Sequence, residues 1–281
     1  MLTHMPPMRM SRCCVQLAMA YLTLGVRRRK LLLAEAQNTV GPVTPGASRR
    51  VSEPIEKACK IYQTLGDEKQ VAASKYQIGT LWSRLWTRAS DQRRSKEQLA
   101  LALSNYEAAY KFYKANGGGK ILLLINLDIA DLFCAVHAAS GPGGSRQCLE
   151  KAALCLAQTH ASFRAEAQDA SELRELLRLS QSVSERLPKV LLLLAKAAAS
   201  ASKGQEQLLQ VSPRSGVDPE EANRADGYKK LYRAALTFSW PKADVIEVDV
   251  TAAALDRAAT FLDTSIRPGL LTLRLGHANE R

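Results

Sequence analysis

The chain has 281 residues, 46% of them apolar and 23% charged, with a net charge of +12. That composition excludes a largely disordered or collagen-like chain and is long enough for one large or two small cored domains. Ala and Leu dominate the apolar share and β-branched residues are sparse, which favours helix over strand and points to an all-α fold.

The charge is uneven. Residues 1–100 hold 17 Lys/Arg against 7 Asp/Glu, and the remaining residues hold 22 against 20. An acidic partner or a nucleic acid would be drawn to that first third, although solvated helix faces account for a basic excess as well. Six cysteines, Cys13, Cys14, Cys59, Cys134, Cys148 and Cys155, form no C-x-x-C pair and lie beside Ala and Leu in helix-like segments. This fits core thiols in an intracellular reducing compartment.

The stretch "RMSRCCVQLAMAYLTLGVRRRK" near the N-terminus has early basic residues, a short apolar run and Ala18-Met19-Ala20, as a signal peptide would. The basic run Arg27-Arg28-Arg29-Lys30 directly after it argues against that reading. The apolar stretches 121–133 and 190–200 carry Asp128, Asp131 and Lys196, so no membrane span is expected.

Next in order come "IYQTLGDEKQVAASKYQIGTLW" (61–82) and "FYKANGGGKILLLINLDIADLF" (112–133), each a helix end, a tight turn and a helix start. An offset of 51 superposes Ala58 on Ala109, Tyr62 on Tyr113, Gly66 on Gly117, Ile78 on Ile129 and Trp82 on Phe133 without a gap. The chain therefore contains an internal repeat. Its small and aromatic positions are similar to the tetratricopeptide signature. The first-helix core appears at Leu17/Ala18/Tyr21, Ile78/Gly79/Trp82 and Ile129/Ala130/Phe133. The second-helix core appears at Ala58/Tyr62 and Ala109/Tyr113, and more weakly at Ala153/Ala157. Small residues there let two helices approach closely, and the aromatic a turn later fills the space beside the contact.

Ala58 precedes Gly79, and Ala109 precedes Ala130, by 21 residues; Gly79 to Ala109 spans 30 and Ala18 to Ala58 spans 40. These intervals are long for a 34-residue unit, so the hairpins carry extended tips at 38–50 and 83–96. The expected architecture is a tetratricopeptide-like array of helical hairpins, an α-solenoid, over 1–165. A C-terminal helical region follows over 166–281, with helices at 169–187, 220–238 and 251–266. Pro188 marks a kink or a fresh helix start, 204–219 reads as a linker, 239–250 as a connection that can be briefly extended, and the tail is loose after 268.

Chemistry is sparse. Gly117-Gly118-Gly119-Lys120 lacks the spacing, the preceding strand and the following Ser/Thr of a phosphate loop. Cys134 and His137 lie three apart on one helix face, but Cys148, Cys155 and His160 complete no zinc spacing. No metallopeptidase, hydrolase-elbow or paired-carboxylate pattern occurs. Neither a metal, a cofactor nor an enzymatic activity is expected.

The stretches "LTH" (2–4), "VQLAMAYL" (15–22), "SRRVSEPIEKACKIYQ" (48–63), "YQIGTLWSRL" (76–85), "SNYEAAYKFYKA" (104–115), "LEKAALCLAQTHASF" (149–163), "LLRLSQSVSERL" (176–187) and "YKKLYRAAL" (228–236), in this order, resemble the C-terminal region of the erythroid differentiation-related factor family. The resemblance implies a tetratricopeptide-type scaffold from a longer protein, nuclear and linked to transcriptional control, with no catalytic residues to carry over. A cytoplasmic location is the alternative.

Stacked hairpins leave a concave face that binds an extended peptide or helix. Carrying the groove positions of tetratricopeptide first helices onto this chain gives Tyr76, Thr80, Ser83 and Arg84, with Asp131 in the next unit. Asp128 and Asp131 are either groove-facing or solvated. Arg84 and Arg88, a turn apart, can grip a carboxylate bidentately, or simply face solvent. The leading expectation is a scaffold for an acidic or C-terminal peptide of a partner protein. The rivals are nucleic-acid binding through the basic patch of Arg27, Arg28, Arg29, Lys30, Arg93 and Arg94, together with Arg49, Arg50, Arg84, Arg88 and Lys96, and a purely structural or assembly role. No feature fixes an oligomeric state.

Overall fold

The computed structural model describes residues 7–38, 45–88, 96–141, 145–159, 163, 170–209, 219–241 and 248–275, and among these there is no strand. The helices are α1 (Pro7–Asn38), α2 (Pro45–Thr64), α3 (Glu68–Arg88), α4 (Lys96–Ala115), α5 (Gly119–Ala139), α6 (Arg146–Ala157), α7 (Ala170–Leu209), α8 (Pro219–Thr237), α9 (Val248–Phe261) and α10 (Arg267–Leu275). A π-helical turn, Leu262–Ile266, joins the last two. Consecutive helices pack as hairpins: α1 on α2, α3 on α4, α5 on α6 and α7 on α8. The fold is an all-α array of helical hairpins, as the composition and repeat spacing predict.

The repeated turn has a clear local cause. At the end of α2 the Asp67 N–H donates to the Tyr62 carbonyl at 3.0 Å and the Gly66 N–H to the Gln63 carbonyl at 3.1 Å. This pattern requires a left-handed residue, and Gly66 supplies it at φ 72°. The Asp67 carboxylate then accepts from the Gln70 N–H at 3.1 Å and caps α3. Gly117, one repeat later, has the same φ of 72°.

Small residues make the helix contacts. Ala18, Ala58 and Tyr62 form one buried cluster, flanked by Tyr21, Leu22, Ile61 and Val71. In the next hairpin Gly79 lies against the face of Tyr106: a Cβ added there would stand 2.9 Å from a ring carbon. Ala109 and Tyr113 are buried beside it.

The chain divides into two compact units, Met1–Asn116 and Gly117–Arg281. Repeat counting groups the third hairpin with the first two, with a boundary near 165. Its core partners assign it otherwise. Leu123, Leu127 and Ala130 of α5 and Leu149, Ala153 and Leu156 of α6 share one core with Leu187 and Leu191 of α7, Tyr228 of α8 and Leu262. At the far end of that core Phe238 stacks on Phe261 at 4.1 Å, with Trp240 edge-on at 5.1 Å.

Of the two roles expected for Pro188, the fresh helix start is excluded, because it lies inside α7. Other local expectations change. The expected linker is helical through Leu209 and resumes helix at Pro219, and 210–218 lie outside the described residues. The stretch after 268, expected loose, is α10 as far as Leu275, and its Leu270 is buried in the core. Ser239–Pro241 is not a strand; the rest of the expected extended connection, 242–247, is outside the described residues.

By length and composition α5 alone among the described helices could cross a membrane, against the expectation that its two aspartates rule this out. Several of its apolar residues are accounted for as core.

Gly79→Ala is expected to destabilise the first unit by about 1–3 kcal/mol, because the buried Tyr106 ring has to move. At an open helical site the same change stabilises by up to about 1 kcal/mol. A fall in the urea midpoint checks the sign.

Candidate interaction surface

The residues expected to line a groove differ in their accessibility. Thr80 and Ser83 are buried, at 9% and 5% exposure. The Thr80 hydroxyl donates to the Tyr76 carbonyl at 2.9 Å, so it serves its own helix. Tyr76 is half-buried with its ring 6.1 Å from that of Tyr106. Arg84 and Arg88 are exposed, and Arg88 donates to the Leu33 carbonyl on α1. Spacing gave the phase of α3 correctly but not its neighbours.

Asp131 belongs to the second unit and is already paired. Arg186 of α7 grips it bidentately, Nε to Oδ1 at 2.8 Å and Nη2 to Oδ2 at 3.1 Å. The pair bridges α5 and α7, and the Asp131 side chain stays 46% exposed beside Arg186. On the same helix, burial pushes the Cys134 thiol up to about 11, and that of Cys155 on α6 up to about 12. Neither is poised as a thiolate at neutral pH. Among the described residues no three metal-capable side chains gather.

The basic residues of the first unit do come together. Arg28 of α1 donates to the Arg50 carbonyl of α2 at 3.2 Å. Arg29 donates to the Gln77 carbonyl of α3 at 3.4 Å, and Arg88 of α3 reaches back to Leu33 of α1. These three bonds tie together the cationic segments 27–30, 49–50 and 84–88. Arg27, Arg28, Lys30, Arg49, Arg50, Arg84 and Arg88 are all exposed, and Arg29 is half-buried. A bond to a carbonyl holds a guanidinium without cancelling its charge. The local field registers on Glu53: its bond to Lys57 lowers its pKa most, and the charges of Arg49 and Arg28 add to the effect. Arg93 and Arg94 lie outside the described residues. The surface that results is cationic and built from three helices. It can hold carboxylates or phosphates.

One further polar centre, in the second unit, was missed from sequence. Arg146 of α6 donates to both oxygens of Glu221 on α8, at 2.8 and 2.6 Å. Arg224 donates to the same Glu221 at 2.6 Å and to Glu220 at 3.1 Å. Arg146 also pairs with Glu150 at 3.2 Å, and the buried Tyr228 hydroxyl donates to Glu150 at 3.0 Å. Burial and the Glu150 carboxylate hold that phenol far above its usual range. The only sequence signal was the helical spacing of Arg146/Glu150 and of Glu220 and Glu221 with Arg224, which does not foretell that the two groups meet. The centre joins α6 to α8 through guanidinium–carboxylate pairs.

Burial raises the Glu221 pKa, but the Arg146 bond and the charges of Arg146 and Arg224 more than offset this, so its folded value is lowered. A carboxyl lowered on folding stabilises above its unfolded pKa, about 4.3, and that stability is lost as pH falls through the lower folded value. Glu221→Gln is expected to flatten this acid limb in a pH series of urea midpoints. At neutral pH it should cost the second unit roughly 1–3 kcal/mol, because the buried Arg224 and the half-buried Arg146 lose a charged acceptor but keep Glu220 and Glu150.

Comparison of the chain with protein-family models, with curated proteins and with solved structures finds no match.

Proposed function

We propose that this chain is a non-enzymatic scaffold of stacked helical hairpins that binds an acidic segment of a partner protein on the cationic face of its first unit. The observation that carries this reading is the convergence of Arg27–Lys30, Arg49–Arg50 and Arg84–Arg88 from three helices, tied together by bonds from Arg28, Arg29 and Arg88 to carbonyls. Such a face concentrates carboxylates and steers their approach. The reading moves the binding surface off the groove suggested by spacing, where Thr80 and Ser83 are buried. The tetratricopeptide-like spacing and the resemblance to the erythroid differentiation-related factor family support a scaffold role in transcriptional control, in the nucleus.

The test is a titration of the full chain with a labelled Glu/Asp-rich peptide and, separately, with a DNA duplex, each over a salt series. Binding of the peptide is expected to survive moderate salt, and Arg28→Glu with Arg50→Glu to weaken it by about tenfold or more, as for loss of two charged contacts. Preference for the duplex, with affinity falling steeply as salt rises, would replace the protein partner with nucleic acid. Indifference to both probes would leave an assembly role.

A further inference from the structure

Leu17, Leu24 and Leu31 recur every seven residues along α1, and they stand 49%, 39% and 62% exposed. Cys13, Ala20, Arg27 and Ala34, also exposed, alternate with them at the three- and four-residue steps of a heptad seam. At about 100° per residue these seven positions occupy one stripe. The stripe lies opposite the face through which α1 packs on its neighbours, which carries the buried Ala18, Gly25 close against Ile55, and the partly buried Leu32. Arg28 and Glu35 border the stripe on one side and Arg12 and Lys30 on the other, all exposed. A heptad-spaced leucine row left in solvent on a folded helix is a seam without its second strand.

Charge decides what the second strand is. Over its whole length α1 carries six Lys/Arg and one acid, Glu35. A second copy in register would set Arg27, which lies in the seam itself, against its own counterpart, and that juxtaposition is unfavourable. A lipid surface suits a broad bulky face with aromatic anchors. This stripe instead has no aromatic and is narrow, and Ala20 and Ala34 leave holes between the leucines that accept side-chain knobs. We infer that α1 is a docking strand for an amphipathic helix of a partner protein, with apolar residues at heptad spacing and Asp or Glu along both flanks. This inference rests on the proposed acidic partner and specifies its form: a helix laid along α1, not an extended acidic tail.

The test uses the full chain and two labelled peptides of about three heptads. One has Leu at the seam positions and Glu at the flanking ones; the other has the same composition in scrambled order. Anisotropy reads affinity, and the rate of Cys13 alkylation, followed by mass spectrometry, reads whether the seam is covered. The ordered peptide is expected to bind and to slow alkylation. The combined variant Leu17→Ala, Leu24→Ala, Leu31→Ala, with its helicity checked by circular dichroism, should weaken binding by about tenfold or more. Equal binding of the scrambled peptide with unchanged alkylation would overturn the docking strand and leave the acidic-partner reading standing. Failure of both peptides, and of the Glu/Asp-rich peptide, would overturn both. A dimer in sedimentation that the leucine variant abolishes would assign the seam to a second copy. Preferential binding to anionic vesicles would assign it to lipid.

Discussion

The close approach of helices at small residues is the constraint on which the rest of this structure depends. Where Gly79 meets the ring of Tyr106 there is no room for a methyl group. At Ala18 and Ala58 the side chains are fully buried beside Tyr62. Interhelical distance is set by the largest atom at the crossing, so these small side chains decide how near the backbones come. The aromatic one turn away then closes the flanking gap. A hairpin packed this tightly has little choice of register, and the exposed faces follow from it. The seam on α1 is open because the opposite face is fixed against α2.

Charge is handled differently in the two units, and this separates structure from function. In the second unit the arginines meet carboxylates. Arg186 clamps Asp131, while Arg146 and Arg224 close on Glu221 in a largely buried cluster. Such groups are neutralised and their role is cohesion. In the first unit Arg28, Arg29 and Arg88 are held by carbonyl oxygens, and exposed cations stand around them. A guanidinium fixed by a carbonyl is positioned but keeps its field, which is the field the proposed acidic partner would meet.

The apolar pattern on α1 complements that field. Leucines at heptad spacing provide non-directional contact area, and the bordering cations select for charge and alignment. Neither is specific alone. Together they favour a partner with both an apolar stripe and acidic flanks.

What the sequence determined by itself was local. The repeat offset, the Gly66-Asp67 turn, the small positions at helix crossings and the all-α class depend on residues within a few turns of one another, and backbone sterics and side-chain size reveal them directly. The cationic runs were legible as runs. Tertiary structure decided which neighbours each helix has. It moved the third hairpin into the second unit, because Leu149 and Leu156 share a core with Leu187 and Tyr228. It buried Thr80 and Ser83, and it gave Asp131 a partner 55 residues away in Arg186. It also gathered three separate basic segments and left the leucine row of α1 open. A helix's periodicity fixes which residues share a face; only packing between distant segments fixes what that face meets.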